Sequence, residues 1–447
     1  MELPVFNCKN ADDVLKAVKD YNVSFVQFWF VDILGTLKSF QITPAELEAA
    51  FEEGMGFDGS SILGFCRIDE SDMVAMPDPT TFQICAWRPT DRPVARMFCD
   101  VVNPDGTPYA GDSRYCLKRI LGKAAEKGYT MYTGPELEFF TFADDTDTEI
   151  LDSGGYFDAP PLDLGNNLRR DIIFALESMG MKVEYSHHEV APSQHEIDLR
   201  YAEALRMADI AMTYRVVVKE TARKHGCYAT FMPKPIFGEN GSGMHVHQSL
   251  FKNGRNAFFD GSDKYNLSAE AKSYIAGLLK HAPEFVCITN QWVNSYKRLV
   301  PGYEAPVYIA WARRNRSALI RVPMYKPGKE MATRMELRCP DPACNPYLAF
   351  AVMLGAGLKG IEEGYTLVDP VEEDIFEMNA KQLKRNKISS LPGSLYEAAE
   401  NLKKSKLVKD ILGEHIHEKL YENKIKEWDM YRTQVTEYEL DRYLPIL

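Results

Sequence analysis

The start of the chain alternates between helical and strand patterns. Apolar residues recur at helical spacing over residues 11–21, directly after Asn10, whose side chain is well suited to cap a helix. Residues 23–31 are β-branched and aromatic, which is typical of a strand, and the turn at Leu34-Gly35 leads to a second strand. These patterns predict a small α+β unit.

A capping-box pattern at residues 43–46 has proline at the first helical position, so it predicts a helix that starts there and ends at Gly54. Residues 103–112 are rich in turn formers and mark a domain boundary. We therefore predict an N-terminal domain over residues 1–108 and a larger domain over residues 109–447.

The larger domain mixes helical and strand patterns. Hydrophobic spacing predicts helices over residues 113–127, 166–179, 203–224 and 268–281, and from 346 onwards. Alternating or β-branched runs predict strands near residues 130–142, 182–186, 194–200, 228–232, 244–251, 306–311, 317–322 and 333–338. The predicted fold class is α+β, with a mostly antiparallel sheet in the second domain.

Composition and charge narrow the class of protein. The chain has 447 residues, with 52 basic and 64 acidic side chains and a net charge of −12, which argues against binding to nucleic acid or to anionic membranes. The longest strongly apolar stretch, residues 347–358, is too short to span a bilayer, and the N-terminus shows no secretory signal. Nine scattered cysteines without a CxxC pair predict reduced thiols and a cytoplasmic protein.

The sequence PELEFF places two carboxylates, Glu136 and Glu138, on one face of a strand, because alternate strand residues point the same way. The neighbouring residues are apolar, so these carboxylates need a cation if the strand is buried. Taken alone, such a motif is more often an ordinary amphipathic strand than a ligand pair.

Three further segments offer acids, imidazoles or guanidiniums on strand faces. They are residues 184–198, which include HHEVAPSQHEID, residues 241–247 (GSGMHVH) and residues 334–338 (RMELR). Four such strands together indicate one shared site. Carboxylate-rich ligand sets with an occasional histidine favour Mg²⁺ or Mn²⁺ over Zn²⁺, and two such ions usually bind phosphate oxygens.

Arginines are concentrated near this last strand. They are Arg298, Arg313, Arg314, Arg316, Arg321, Arg334 and Arg338. Guanidiniums beside apolar strand residues bind carboxylates or phosphates in a bidentate manner, so the cluster predicts phosphoryl transfer between a polyphosphate and a carboxylate substrate. The chain lacks a P-loop sequence, and the GxGxxG pattern at residues 355–360 follows a helical run, which predicts close helix packing.

Several long motifs occur in order over most of the chain: FDGSS at 57–61, ESDM at 70–73, PELEFF at 135–140, HHEVAPSQHEID at 187–198, KPIFGENGSGMHVHQSL at 234–250, NSYKRLVPGYEAP at 294–306, RNRSALIRVP at 314–323 and RMELRCPDPACNPYLAF at 334–350. Together they resemble the glutamine synthetase family, type I, in its unadenylylated bacterial and archaeal branch. The resemblance implies a β-grasp-like N-terminal domain and a catalytic domain with a curved antiparallel sheet flanked by helices. It also implies a homo-oligomer, a dodecamer of two hexameric rings, with active sites between neighbouring subunits.

The resemblance also implies residue roles. Ligands of a first Mg²⁺ or Mn²⁺ are Glu138, Glu189 and Glu196, and ligands of a second are Glu136, His245 and Glu336. Residues matching the glutamate site are Asn240, Gly241, Arg298, Glu304 and Arg338. Residues matching the site for ATP, a substrate, are Glu184, His247, Ser249, Arg321 and Arg334. The catalytic residues are Asp58, Glu304 and Arg316.

In the implied reaction, ATP phosphorylates the side-chain carboxylate of L-glutamate, and ammonia attacks the γ-glutamyl phosphate to give L-glutamine, ADP and phosphate. Asp58 accepts a proton from ammonium, and Glu304 lies in a flap that shields the intermediate from water. Arg67 matches a position tied to feedback by glutamine, which is a hypothesis of allosteric regulation; a PII-type regulator is a further possible partner. No tyrosine lies between Tyr365 and Tyr396, so regulation by adenylylation is not expected.

Three alternatives remain open. The same fold with another amine would be a γ-glutamyl-polyamine or γ-glutamyl-methylamide ligase, although Asp58 and Glu304 favour ammonium. A two-metal hydrolase would account for the acids and histidines but not for the arginines. A catalytically silent homologue is disfavoured because every expected ligand is present.

Overall fold

The computed structural model describes residues 4–62, 64, 72–88, 91–303 and 305–447. Its strands are β1 (Phe25–Val31), β2 (Leu37–Ile42), β3 (Met55–Asp58), β4 (Asp72–Pro77), β5 (Gln83–Ile84), β6 (Val94–Val102), β7 (Tyr129–Phe142), β8 (Val183–His188), β9 (Gln194–Leu199), β10 (Ala202–Glu203), β11 (Tyr228–Thr230), β12 (Met244–Lys252), β13 (Arg255–Asn256), β14 (Tyr308–Ala312), β15 (Ala318–Arg321) and β16 (Met335–Leu337). Its α-helices are α1 (Ala11–Asp20), α2 (Leu47–Glu53), α3 (Ser113–Glu126), α4 (Asn166–Ser178), α5 (Ala204–Lys224), α6 (Ala269–Thr289), α7 (Ser295–Arg298), α8 (Pro346–Glu363), α9 (Ala380–Arg385), α10 (Leu395–Lys404), α11 (Lys406–Leu412), α12 (Glu414–Arg432) and α13 (Glu437–Tyr443).

The first sheet lies in the N-terminal part of the chain. Its strand order is β2-β1-β6-β4-β3, and β5 also pairs with β6. Helix α1 belongs to the same unit, because its buried residues Val14, Ala17 and Val18 share a core with this sheet. The Asn10 side chain caps α1 by accepting a hydrogen bond from the Asp13 N–H at 3.0 Å, which confirms that predicted helix start.

The helix predicted from the capping box begins later than expected. Residues Pro44–Glu46 form a 3₁₀ turn, and α2 starts only at Leu47. The Thr43 side chain makes no capping hydrogen bond, so the predicted capping box is wrong. The helix does end before Gly54, whose φ of +73° is a conformation that favours glycine.

The second sheet carries the residues of interest. Its strand order is β14-β15-β16-β12-β7-β9-β8, and the short strands β10, β11 and β13 pair with β7 or β12. All of its described pairs are antiparallel except β14 with β15, so the predicted α+β class with an antiparallel sheet is confirmed. The long strand β7 lies between β12 and β9, which places His245 opposite Glu136 and Glu196 opposite Glu138.

Helices α6 and α8 pack closely on each other. A Cβ atom on Gly360 would lie 2.0 Å from the carbonyl oxygen of Ser273, and one on Gly277 would lie 2.3 Å from that of Ala356. Only glycine fits at this spacing, so the GxGxxG pattern serves helix packing, as predicted.

Helix α6 extends past its predicted end at residue 281. It continues through Pro283 to Thr289, because Phe285, Val286 and Ile288 are buried in the main hydrophobic core. Burial of these apolar side chains offsets the backbone hydrogen bond that proline removes.

Two observations bear on the class of protein. Among the described residues, no helix is both long enough and apolar enough to cross a membrane. The cysteines in the described ranges are free thiols, and all of these except Cys227 are buried.

Candidate active site

Two cavities adjoin on one face of the second sheet. The first has a volume of about 280 Å³ and the second about 320 Å³. Glu136, Tyr185 and Arg321 line both of them. The two cavities are therefore compartments of one cleft.

Acids and imidazoles from several strands line the first cavity. The six residues that the sequence predicts as metal ligands all lie there: Glu136, Glu138, Glu189, Glu196, His245 and Glu336. Five of them come together because β7, β9, β12 and β16 are neighbours in the sheet and their side chains face the cleft, and Glu189 directly follows β8. Their individual roles stay predictions.

One compact group consists of Glu136, His245 and Glu336, which offer ligand atoms within 4.8 Å of one another. The Nδ1 atom of His245 lies 3.2 Å from Oε2 of Glu136 and 3.6 Å from Oε1 of Glu336. This group coincides with the second ligand set expected from the sequence.

A second group within the same distance consists of His187, Glu189 and Glu196. The Nε2 atom of His187 lies 2.9 Å from Oε1 of Glu189 and 3.9 Å from Oε2 of Glu196. Asp198 forms a further group with Glu136 and Glu196, so carboxylates run continuously between the two cavities.

Glu138 lines the cavity but is bound differently from the other acids. Its Oε2 atom accepts hydrogen bonds from Nε2 of Gln194 at 2.9 Å and from the Gly243 N–H at 3.0 Å. His187, and not Glu138, forms the compact group with Glu189 and Glu196. The resemblance implies instead that Glu189 and Glu196 share a metal with Glu138.

Two of the buried acids, Glu138 and Glu196, resist ionisation unless a cation is near. Burial, followed by the neighbouring Glu189 carboxylate, raises the pKa of Glu138 well above its ordinary value. Burial, followed by Asp198, does the same to the pKa of Glu196. A hard divalent cation would supply the positive charge that these carboxylates need, so the donor set fits Mg²⁺ or Mn²⁺.

Glu336 is held between two arginines. The Nη1 atom of Arg338 donates to Oε1 of Glu336 at 2.7 Å, and Nε of Arg321 donates to the other carboxylate oxygen. Glu336 is 0% exposed. The ion pairs balance its charge and fix its side chain at the floor of the cleft.

The first cavity also contains most of the residues expected to bind glutamate. Asn240, Gly241, Arg298 and Arg338 all line it, as does Arg316. Arg298 is buried, and its Nη1 atom donates to the carbonyl oxygen of Cys339 at 2.8 Å. Guanidiniums anchored in this way can bind a carboxylate at a defined position.

The second cavity contains all five residues expected on the nucleotide side: Glu184, His247, Ser249, Arg321 and Arg334. The Nε atom of Arg334 donates to Nδ1 of His247 at 3.1 Å, and Nε2 of His247 lies 2.7 Å from Oε1 of Glu136. This hydrogen-bonded chain links the second cavity to the first group of acids. Tyr132 and Tyr201 add aromatic surface on which the base of a nucleotide can pack.

The remaining predicted residues lie elsewhere. Asp58 is exposed at the end of β3, accepts a hydrogen bond from the Ser60 N–H at 2.8 Å, and is not among the described residues that line either cavity. Glu304 and Arg67 fall outside the described residues.

Several residues of the first cavity were not singled out as site residues from the sequence: Tyr156, Tyr185, His187, Gln194 and Tyr303. His187 and Gln194 belong to a motif already noted, so its spacing offered a signal. Tyr156 lies in a turn-rich loop without hydrophobic periodicity, and nothing local indicates its position.

Family models match both the N-terminal part and the larger remainder of the chain. The family model described as "Glutamine synthetase, beta-Grasp domain" matches residues 22–104, and "Glutamine synthetase, catalytic domain" matches residues 110–443. A glutamine synthetase of Methanosarcina mazei is 53% identical over 444 residues, which cover 98% of this chain and 99% of that protein.

Solved structures are similar over nearly the whole chain. A "GmaS/ADP complex" is 29% identical with a TM-score of 0.88, covering 96% of this chain and 99% of that one. A cryo-EM structure of Plasmodium falciparum glutamine synthetase is 26% identical with a TM-score of 0.88, covering 99% of this chain and 100% of that one.

Proposed function

The chain belongs to the glutamine synthetase family, and from that premise we propose how its cleft serves the reaction. The protein is an enzyme that ligates ammonia to the side-chain carboxylate of L-glutamate at the expense of ATP, through γ-glutamyl phosphate. ATP occupies the second cavity and glutamate the first. The observation behind this assignment is the wall that the two cavities share, formed by Glu136, Tyr185 and Arg321. Because the cavities adjoin there, the phosphoryl group can pass from ATP to glutamate.

The second cavity suits ATP because it combines aromatic surface with basic groups. Arg334 and Arg321 offer guanidiniums for phosphate, and Tyr132 and Tyr201 offer ring surface. The similar GmaS structure is a complex with ADP, which supports a nucleotide site in this fold.

Two or more Mg²⁺ or Mn²⁺ ions belong to the cleft. Glu136, His245 and Glu336 would hold one, and Glu189 and Glu196 would hold another together with Glu138 or His187. When bound, such ions neutralise phosphate oxygens and orient the transferring group.

Basic and other polar groups of the chain bind and orient the substrates. Arg298, Arg338, Asn240 and Gly241 lie where the glutamate carboxylates and amine would be held. Arg316 lines the first cavity and Arg321 belongs to the wall that the two cavities share, so both can stabilise negative charge on the phosphoryl group as it moves. Glu304 covers the intermediate against water.

The site is completed by a second copy of the chain. Asp58, assigned to take the proton from ammonium, does not line either cavity of its own chain as described. The C-terminal residues Leu444, Ile446 and Leu447 are 76%, 74% and 98% exposed, and apolar surface of this kind favours association. We assign the assembly as a homo-oligomer, a dodecamer of two six-membered rings, in which Asp58 of one subunit serves its neighbour.

Location and regulation are assigned from other features of the chain. Free thiols fit a cytoplasmic protein. Feedback by glutamine through Arg67 and control by a PII-type protein follow only from the resemblance. An Arg67→Ala variant that stays as sensitive to glutamine as the parent would remove the Arg67 assignment.

The amine is ammonia and not methylamine or a polyamine. The relative from Methanosarcina mazei that shares 53% identity is a glutamine synthetase, whereas the GmaS structure shares 29%. The purified protein should form glutamine only when Mg²⁺, ATP, glutamate and ammonium are all present, each being omitted in turn. Faster product formation with methylamine or a polyamine than with ammonium would overturn the assignment.

A complementation experiment tests the shared site. Asp58→Asn and Glu336→Gln should each be inactive, but mixed oligomers of the two should regain up to about a quarter of parental turnover, because some interfaces then pair an intact Asp58 with an intact Glu336. Mixed oligomers that stay inactive would place Asp58 and Glu336 in the same subunit's site.

A further inference from the structure

Lys234 lies against the part of the first cavity's lining that contains Tyr303 and Ala305, which we call the Tyr303 wall. It is 9% exposed, and its Nζ atom lies 3.9 Å from the ring centre of Tyr303, which lines the cavity. The same ammonium group donates a hydrogen bond to the carbonyl oxygen of Glu239. One side chain therefore connects the Tyr303 wall to the turn that presents Asn240.

The backbone of Lys234 is itself fixed by Asn294. The Asn294 Oδ1 atom accepts from the Lys234 N–H at 2.7 Å, and its Nδ2 atom donates to the Lys234 carbonyl at 3.0 Å. Asn294 directly precedes α7, whose last residue is Arg298. Lys234 thus joins three segments, each of which contributes a residue to the first cavity.

The Tyr303 ring has Lys234 as a specific partner. Within the described part of the chain, the structure gives its ring no other aromatic or cationic neighbour and its hydroxyl no hydrogen bond. The preceding residues Pro301 and Gly302 are exposed, and Gly302 has a φ of +98°, so the segment has little support from the solvent side. The cation–π contact with Lys234 therefore helps to hold the Tyr303 ring against the cavity.

We propose that Lys234 is a positioning residue that fastens the Tyr303 wall over the γ-glutamyl phosphate. The proposal rests on the synthesis of glutamine described above. If the wall opens, water replaces ammonia as the nucleophile: a water oxygen bonds to the acyl carbon, the phosphate leaves with the electrons of the broken C–O bond, and glutamate is regenerated. The net reaction is then hydrolysis of ATP to ADP and phosphate without glutamine.

The test compares phosphate release with glutamine formation in the assembled enzyme. Lys234→Met keeps the apolar stem and removes the ammonium group. The ratio of phosphate released to glutamine formed should rise about threefold to thirtyfold, the range expected from loss of one buried cation–π contact. Lys234→Arg should stay near the parental ratio, because a guanidinium can also lie over the ring and donate to Glu239.

Tyr303 provides an independent variant. Tyr303→Leu should raise the ratio as Lys234→Met does, and the double variant should resemble either single one, since both remove the same contact. Lys280→Met is the matched control: Nζ of Lys280 lies 3.8 Å from the Tyr365 ring centre, outside both cavities, and this change should leave the ratio unchanged.

Each result of these measurements either supports the proposal or overturns it. A parental ratio in Lys234→Met, or an equal rise in Lys280→Met, would overturn the proposal. Should Lys234→Met fail to assemble, a parental ratio in Tyr303→Leu would overturn it instead. A parental enzyme that makes no glutamine would contradict the proposed function, which is a separate result from an unchanged ratio.

Discussion

The carboxylate of Glu336 and the guanidinium of Arg338 form an ion pair between residues two apart in the chain, with Oε1 and Nη1 2.7 Å apart. The two side chains point to the same face because alternate residues of extended backbone do so. With Arg321 on the other oxygen, the pair holds a fully buried acid rigidly beside His245. A ligand preorganised in this way need not be reoriented when substrate binds.

The Glu336 carboxylate should be indispensable for turnover. Glu336→Gln keeps the shape of the side chain and removes its charge. Losing a residue that only hydrogen-bonds to a metal ligand costs about tenfold to a hundredfold, so loss of a ligand's charge should lower glutamine formation by more than about a hundredfold. The oligomeric state, measured by light scattering, should not change. Glu53→Gln, on the exposed surface of α2, is the control. Near-parental turnover in Glu336→Gln would remove Glu336 from the metal site.

The loop that carries Tyr156 should tolerate alanine at one glycine and not at its neighbour. A Cβ atom on Gly154 would lie 2.8 Å from Nε2 of His188, whereas one on Gly155 would meet nothing closer than 3.6 Å, an oxygen of Asp158. Gly154→Ala should therefore displace the loop and lower kcat/KM by about tenfold to a hundredfold. Gly155→Ala should keep parental steady-state kinetics, and equal losses in both variants would contradict the argument.

Arg334 should affect ATP binding selectively. Arg334→Ala removes the donor to His247 and a guanidinium from the second cavity, so the KM for ATP should rise by about tenfold or more. The KM for glutamate should stay unchanged, because Arg334 does not line the first cavity. Arg255→Ala, an exposed residue of β13 outside both cavities, is the control. Equal increases in both KM values would show that the two cavities do not separate the substrates.

Asp112 should make stability depend on pH. It caps α3, and burial, followed by the Asp100 carboxylate, raises the pKa of Asp112 to about 7. The folded protein therefore binds this proton more tightly than the unfolded chain, in which the pKa is about 3.9. The stabilisation that comes from this bound proton is fully present below about pH 4 and is lost as the pH rises through about 7.

Asp112→Asn removes this titration and keeps an oxygen that can accept one of the two backbone hydrogen bonds that Asp112 now accepts. The difference between the Tm of the variant and that of the parent should therefore increase by several degrees as the pH rises from 4 to 8. Asp91→Asn, on the exposed surface, is the control and should follow the parent. Parallel Tm profiles for Asp112→Asn and the parent would contradict the assignment.

Local pattern accounts for much of the fold. The period-two spacing in PELEFF and MHVH is enough to place Glu136 with Glu138, and His245 with His247, on common strand faces. The predicted helix start at residue 43 and the predicted helix end at residue 281 were wrong, because local rules competed with packing there. At Thr43 the backbone forms a 3₁₀ turn in place of the capped helix, and at Pro283 the buried apolar face of α6 outweighs a residue that normally ends a helix.

The sequence by itself determined which side chains share a face, because the repeat of a strand or helix is set by the backbone of a few consecutive residues. Only the tertiary structure decided that β7, β9, β12 and β16 lie side by side, that His187 joins the acids while Glu138 binds Gln194, and that Asp58 lies outside the cavities of its own chain. These outcomes depend on hydrogen bonds and packing between residues far apart in the chain. The free energy of such contacts cannot be read from any short segment.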